Sequence, residues 1–293
     1  MDANNSTTRP AEQAMKIGVT IHATDKAMPV VDVAREAEAR GYHSLYIPEH
    51  THIPTSRRTP PPTGSDELAE EYLRSPDPYI SLAAAASVTE RILLGTGIGL
   101  PAQHDPITFA KELATLDRVT AGRFVFGIGY GWNIEEMENH GIDTRRRRAR
   151  VREHMLAMQA LWSNEVAEFH GEFVDFEASW QWPKPQQRPR PRVLIGGAAG
   201  PKLFDHIAEY ADGWMPIGGA GLREDLPKLR SVFEAQSRDP DSIHLVPMGV
   251  MPDDAKLDYY EELGVTECVL RLPSATRDEV MPVLDAFTRY LSR

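Results

Sequence analysis

Ile92-Leu93-Leu94-Gly95-Thr96-Gly97-Ile98, then a helically spaced segment over 106–120, then Arg123-Phe124-Val125-Phe126-Gly127-Ile128 is the stretch on which the architecture turns. Two short apolar runs of strand length flank a longer segment with apolar residues at a period near 3.6, which is a strand–helix–strand unit. The same rhythm extends outward in both directions. Upstream lie a strand over 16–21, a helix over 29–41, a strand over 44–48 and an alanine-rich helix over 79–89. In the helix over 29–41, Val30, Val33, Ala34 and Ala37 share one face and Gly41 is the stop. Downstream, strands are expected over 192–195, 214–217, 244–250 and 267–272, with helices over 201–211, 222–236, 257–263 and 278–291. Eight strand–helix alternations predict an α/β fold, a (β/α)8 TIM barrel. Two insertions interrupt it. One, 53–78, follows the second strand and is rich in Pro, Thr and charge. The other, 132–192, follows the fourth and carries a helix near 145–162 and a hairpin around 170–182.

The chain has 293 residues, close to the ordinary size of one such barrel, and 41% hydrophobic and 26% charged residues, enough for a sizeable core. One barrel domain is expected over 15–293, preceded by a polar, flexible leader over 1–14 without the apolar core of a signal peptide. No apolar run reaches membrane-spanning length. A net charge of −11 argues against nucleic acid, whose binding needs a basic face. Cys268, the single cysteine, lies in an apolar run and reads as a buried, inert thiol. These features predict a cytoplasmic enzyme acting on a small molecule.

A barrel of this kind carries its active site at the C-terminal ends of its strands. Past the second strand comes Pro48-Glu49-His50-Thr51-His52. Tyr46, Pro48 and His50 share one side by strand alternation, and burying a charged Glu49 between strand and helix is costly, so Glu49 is expected past the strand end. His50 suits proton transfer near neutral pH; a hydrogen-bonded surface histidine is the alternative. His50 and His52 also have the spacing of some barrel zinc hydrolases, but neither Gly129-Tyr130-Gly131 nor Gly196-Gly197 supplies a further ligand, so no metal site is expected. Glycines at 95, 97 and 99 and at 127, 129 and 131 leave room for a planar ring, with Tyr130 and Trp132 as walls. Gly196-Gly197-Ala198-Ala199-Gly200 opens directly into a helix, which suits a phosphate. In the basic run 145–150, Arg145 and Arg148 share a helix face with Arg152, as a solvated face or a contact for an acidic cofactor tail or substrate.

These pieces in this order resemble the luciferase-like monooxygenase family across roughly residues 15–290. The matching stretches are 45–50, 92–98, 109–117 with 122–124, and 195–197 with 209–214. The run 127–132 is closer to the branch that uses the deazaflavin coenzyme F420 than to the FMN alkanesulfonate branch. The resemblance implies a barrel oxidoreductase that moves a hydride between F420 and an organic substrate, and a homodimer. It implies a non-proline cis peptide at Gly97–Ile98 behind the deazaflavin ring, cofactor contacts at Tyr130 and Gly131, and a phosphate loop at Gly196, Gly197, Ala198, Ala199 and Gly200. It makes His50 the residue acting on protons and Glu49 an acidic group near the cofactor, with the insert 53–78 as a lid. Trp132 departs from the sugar-phosphate dehydrogenase branch, which has a catalytic carboxylate there, and this argues against that substrate. The rival readings are an FMN-dependent monooxygenase activating oxygen, a metal-dependent hydrolase using His50 and His52, and a flavin-binding protein without turnover.

Overall fold

The computed structural model describes residues 14–61 and 67–293. The expected leader, except Ala14, and residues 62–66 of the first insert lie outside the described residues. Strand β1 (Lys16–Thr20) leads to helix α1 (Val30–Arg40), β2 (Ser44–Ile47), α2 (Pro78–Ala86), β3 (Leu93–Thr96), α3 (Pro106–Val119) and β4 (Phe124–Ile128). The second insert holds α4 (Ile134–Asn139), α5 (Arg147–Ser163) and a hairpin of β5 (Ala167–His170) and β6 (Asp175–Ser179). The barrel resumes with β7 (Arg192–Gly196), α6 (Pro201–Tyr210), β8 (Gly213–Met215), α7 (Leu222–Ala235), β9 (His244–Leu245), β10 (Met248–Val250), α8 (Asp254–Leu263), β11 (Glu267–Arg271) and α9 (Arg277–Phe287).

The main sheet is parallel, in the order β10-β11-β1-β2-β3-β4-β7-β8-β9. Its two ends, β9 and β10, are halves of the single strand expected over 244–250, so the sheet closes into the eight-stranded barrel. The break falls at Val246 and Pro247. Proline has no N–H for the ladder, although the Pro247 carbonyl still accepts from Val269 N–H at 3.0 Å. The other difference is α4, a six-residue helix capped by Asn133, whose Oδ1 accepts from Glu136 N–H at 3.1 Å. It is too short to show a helical period in the sequence.

Strand alternation divides the core in two. Leu45 and Ile47 on β2, Phe124 and Phe126 on β4, and Val193 and Ile195 on β7 pack under the helices. Tyr46, Val125, Leu194, Met215, Met248 and Val269 fill the barrel interior. At its floor, near the N-terminal ends of the strands, Glu267 is buried with Ser44 and Tyr46 as hydrogen-bond partners. Burial pushes its carboxyl up to about 7, against the lowering pull of Ser44, Arg192 and Tyr46.

Candidate active site

The interior side chains end, toward the C-terminal mouth, at the Gly97–Ile98 peptide, which is cis, as the resemblance implies. Backbone bonds hold it on both sides. Gly97 N–H donates to Ile47 O at 2.8 Å, Glu49 N–H donates to Ile98 O at 3.1 Å, and Gly99 N–H donates to Gly127 O at 2.7 Å. Gly97 and Ile98 are half-buried and reachable from the mouth. The neighbouring glycines serve this floor more than they leave it open. A Cβ on Gly129 would stand 1.9 Å from Ile98 Cδ1, and one on Gly97 would stand 1.9 Å from Met248 Cε. The room expected there for a planar ring is taken by the protein's own Ile98 and Met248, so any ring must lie on Ile98, above the glycines.

His50 stands at the mouth. Parity puts it on the side of Tyr46, and its Nδ1 lies 2.8 Å from Glu136 Oε2, with 7% and 1% of the two side chains exposed. Glu136 also accepts from Thr51 N–H at 3.0 Å. Burial works to raise the Glu136 pKa, but the hydrogen bond from His50 and the charge His50 carries when protonated, with the bonds from Thr51 N–H and Gln103, outweigh it and the pKa is lowered. On the other ring nitrogen, Trp132 Nε1–H donates to His50 Nε2 at 3.3 Å. A carboxylate only accepts and an indole N–H only donates. In the neutral ring the two partners therefore favour one tautomer, with the proton on Nδ1 and the lone pair on Nε2.

His50, Trp132, Tyr72 and His22 form one aromatic group. Tyr72 meets His50, Trp132 and His22 edge-on at centroid distances of 5.5, 5.8 and 4.8 Å. His22 is parallel to His50 at 6.4 Å, and its pKa is lowered to about 4 by burial, then by the charges of His50 and Arg271. The insert thus contributes a wall. Its edge is pinned by Ser75 Oγ at 2.8 Å from His22 Nε2, and by Glu71 with Arg271 at 3.1 Å. Glu135, the other buried acid of α4, accepts from the backbone of Arg58 and Thr59 and from the Thr59 hydroxyl. Burial works to raise its pKa, but these hydrogen bonds win and hold it at about 2.

Glu49 lies two residues past the end of β2, as expected, but its burial is a correction. Strand parity prevails over the desolvation argument: Glu49 lies behind β2, only 3% exposed, in the strand–helix layer. Three donors offset the cost. Leu100 N–H is at 2.6 Å, the Tyr79 hydroxyl at 2.9 Å and His104 Nε2 at 2.6 Å. Burial lowers the His104 pKa, but the bond to Glu49 more than reverses this and it is raised. Tyr130 is a second correction. It follows Phe126 and Ile128 in parity, so its side chain passes under the helices, where its hydroxyl meets His206 Nδ1 at 2.8 Å and Arg148 lies 4.5 Å over its ring. Only its backbone, next to Gly131 (φ +75), faces the mouth.

The loop Gly196, Gly197, Ala198, Ala199, Gly200 joins β7 to α6, as expected. Gly197 has φ +140 and its carbonyl accepts from Trp214 Nε1–H at 3.0 Å. Ala198 and Ala199 are exposed, and no side chain caps the N-terminus of α6. An anion is suited to such a helix start. In the basic run, Arg145 pairs with Asp143 and Arg146 with Glu172, while Arg152 pairs with Glu209. His50 and His52 diverge: His52 Nδ1 contacts Thr51 Oγ1 at 2.9 Å and its Nε2 contacts Asn139 at 3.0 Å. Among the described residues no three His, Cys, Asp or Glu side chains group as a metal would require. Likewise, no helix among them is long and apolar enough to cross a membrane.

Glu136, Tyr72 and His22 were not singled out from the sequence. His22 was within reach, since it lies just past the end of the first strand. Glu136 and Tyr72 sit in inserts, where no strand rule assigns a direction.

The sequence profile of the luciferase-like monooxygenase family matches residues 9–252. An uncharacterized protein of Mycobacterium tuberculosis is 40% identical over 281 residues, covering 95% of this chain and 99% of the relative. The F420-dependent glucose-6-phosphate dehydrogenase of Kineococcus radiotolerans is 29% identical over 235 residues, covering 77% of this chain and 64% of the relative. The FMNH2-dependent dimethylsulfone monooxygenase of Pseudomonas putida is 28% identical over 172 residues, covering 57% and 45%. Among solved structures, the monooxygenase RslO1 from Streptomyces bottropensis superposes with a TM-score of 0.76 at 22% identity, covering 95% of this chain and 99% of that one. That likeness establishes the shared fold.

Proposed function

The chain belongs to the luciferase-like monooxygenase family, and on that premise we propose that it transfers a hydride between coenzyme F420 and an organic substrate, with His50 as the proton acceptor. The observation that carries this reading is the placing of His50 between Glu136 at 2.8 Å and Trp132 at 3.3 Å. Sequence extent favours the deazaflavin over FMN: the F420-dependent relative aligns over 235 residues and the FMN-dependent one over 172.

The residues present fit such a cofactor. Ile98, reachable from the mouth, offers an apolar face for a ring, and the uncapped start of α6 with exposed Ala198 and Ala199 offers backbone N–H groups for a phosphate. Gly97 and Ile98 would back the ring, the backbone of Gly129, Tyr130 and Gly131 would flank it, and Gly196 to Gly200 would hold the phosphate. When bound, the cofactor supplies the carbon that accepts or returns the hydride. The protein supplies the proton route. For an alcohol, the hydroxyl would displace the Trp132 N–H from the single lone pair of His50 Nε2 and give up its proton there, as the C–H hydride is lost to the cofactor and the carbonyl forms. The imidazolium is stabilised by Glu136, which accepts from Nδ1–H throughout. Glu49 acts as a positioning residue, since its backbone N–H holds the Ile98 carbonyl and its carboxylate holds Leu100 N–H.

The test is turnover of oxidised F420 by purified protein with a secondary alcohol, read as loss of deazaflavin absorbance. His50→Gln is expected to abolish turnover while F420 still binds. Oxygen consumption with reduced FMN, and none with F420, would move the protein to the oxygen-activating branch.

A further inference from the structure

Two large apolar side chains stand in solvent at adjoining strand ends. Ile217 follows β8 and is 79% exposed, and Met251 follows β10 and is 60% exposed. Scattered exposed apolar residues are ordinary on a protein surface. Ile217 is joined to the Gly97–Ile98 peptide at the mouth, and Met251 lies three residues past Met248. Ile217 pairs with Met248 as a parallel bridge, and the Met248 side chain reaches into the space beside Gly97. An apolar strip therefore runs from the outer rim through Met248 to the Gly97–Ile98 peptide. Lys256, five residues past Met251, and Arg271, at the end of the adjoining β11, are both committed. Lys256 Nζ donates to Met251 O at 2.8 Å and lies 3.4 Å from Asp253, while Arg271 pairs with Glu71 at 3.1 Å. His22, the remaining basic group at the end of the first strand, is held neutral at pH 7 by its burial. His50, with Glu136 behind it at 2.8 Å, is a group at the mouth that suits one hydroxyl or carbonyl.

We propose that the substrate is an uncharged, predominantly apolar molecule with a single hydroxyl or carbonyl directed at His50, and that Ile217 and Met251 hold its hydrocarbon part. That the mouth is a substrate site rests on the oxidoreductase reading above. The strip determines which molecules enter, because a phosphate or carboxylate would lose its hydration against apolar side chains.

The test is calorimetric binding of 2-butanone, 2-hexanone and 2-octanone, alongside hexanoate and glucose 6-phosphate, to the F420-loaded and the cofactor-free protein. Affinity for the ketones is expected to rise about two- to fourfold per added methylene, with hexanoate and glucose 6-phosphate at least tenfold weaker than 2-hexanone. In the double variant Ile217→Ser, Met251→Ser, the gain per methylene is expected to fall below half its value, with F420 affinity unchanged. Both side chains are mostly exposed, so these substitutions leave the core intact. An unchanged gain in the variant, or binding of the anions as tight as that of 2-hexanone, overturns the proposal. So does an oligomeric state that changes with the substitutions, which would give the strip to a second copy. F420 binding with no dependence on ketone length would sink this inference alone. A failure of F420 to bind, with the ketone gain intact in the cofactor-free protein, would sink the cofactor reading and leave the apolar strip standing.

Discussion

Replacing Glu136 by Gln keeps the volume of the side chain and removes its charge. In the native site the carboxylate accepts from His50 Nδ1–H and Trp132 donates to Nε2. The amide of Gln can also accept with its oxygen, but Thr51 N–H already requires an acceptor at 3.0 Å. With its oxygen on Thr51, the variant presents an NH2 to His50 Nδ1. The ring must then carry its proton on Nε2, where it faces the Trp132 N–H, donor against donor. The lost hydrogen bond to a charged group is worth about 1.5–3 kcal/mol, a factor of roughly 10 to 150 in tautomer ratio. The rate should fall further, because the wrong tautomer of a catalytic histidine costs up to about 10⁴-fold. The direct assay is ¹⁵N NMR of the imidazole nitrogens, which needs no substrate. Wild-type His50 should show Nδ1–H, and Glu136→Gln should show Nε2–H or a mixture, with F420 affinity unchanged. The same tautomer in both proteins, or turnover within a few-fold of wild type, would refute the reasoning.

Gly129→Ala forces Ile98 out of its rotamer, since the new Cβ would lie 1.9 Å from Ile98 Cδ1; F420 affinity should fall about 2- to 10-fold, measured by fluorescence titration. Glu49→Ala strands the Tyr79 hydroxyl, Leu100 N–H and His104 together, and chemical denaturation should show a loss of roughly 3–5 kcal/mol. Glu267 has its folded pKa raised from the ordinary 4.5 to about 7. Its folded form binds the proton more tightly than the unfolded chain, so stability is greatest below the ordinary value and falls as pH rises through about 7. The loss is roughly 3 kcal/mol at most, and Glu267→Gln should flatten that slope in denaturation curves between pH 5 and 8.

The barrel was legible because its signals are local. Period-2 runs, helical spacing and the proline and glycine boundaries each need only a short window, and the closure follows from counting eight of them. Pro247 was equally visible, yet its effect on the 244–250 strand depends on which neighbour needs its missing N–H. The site was legible where strand parity governs it: His50 falls on the Tyr46 side as the alternation requires. Glu49 obeys the same alternation. The desolvation argument misplaced it because its three donors come from residues 79, 100 and 104, which no local pattern brings together. Tyr130 was misread because parity, which carries it under α5 and α6, was not applied past the end of β4. Glu136 was hidden most deeply. It sits beside Glu135 in a short helix, and only the packing of the two inserts decides that one acid serves His50 and the other serves Thr59.

Equilibrium titration of the purified protein with F420 and with FMN, followed by tryptophan fluorescence, tests the central claim most directly. The account predicts F420 binding at micromolar concentration or tighter, FMN at least tenfold weaker, and a Trp132→Phe variant that loses much of the signal. Tighter binding of FMN, or binding of neither, would contradict it.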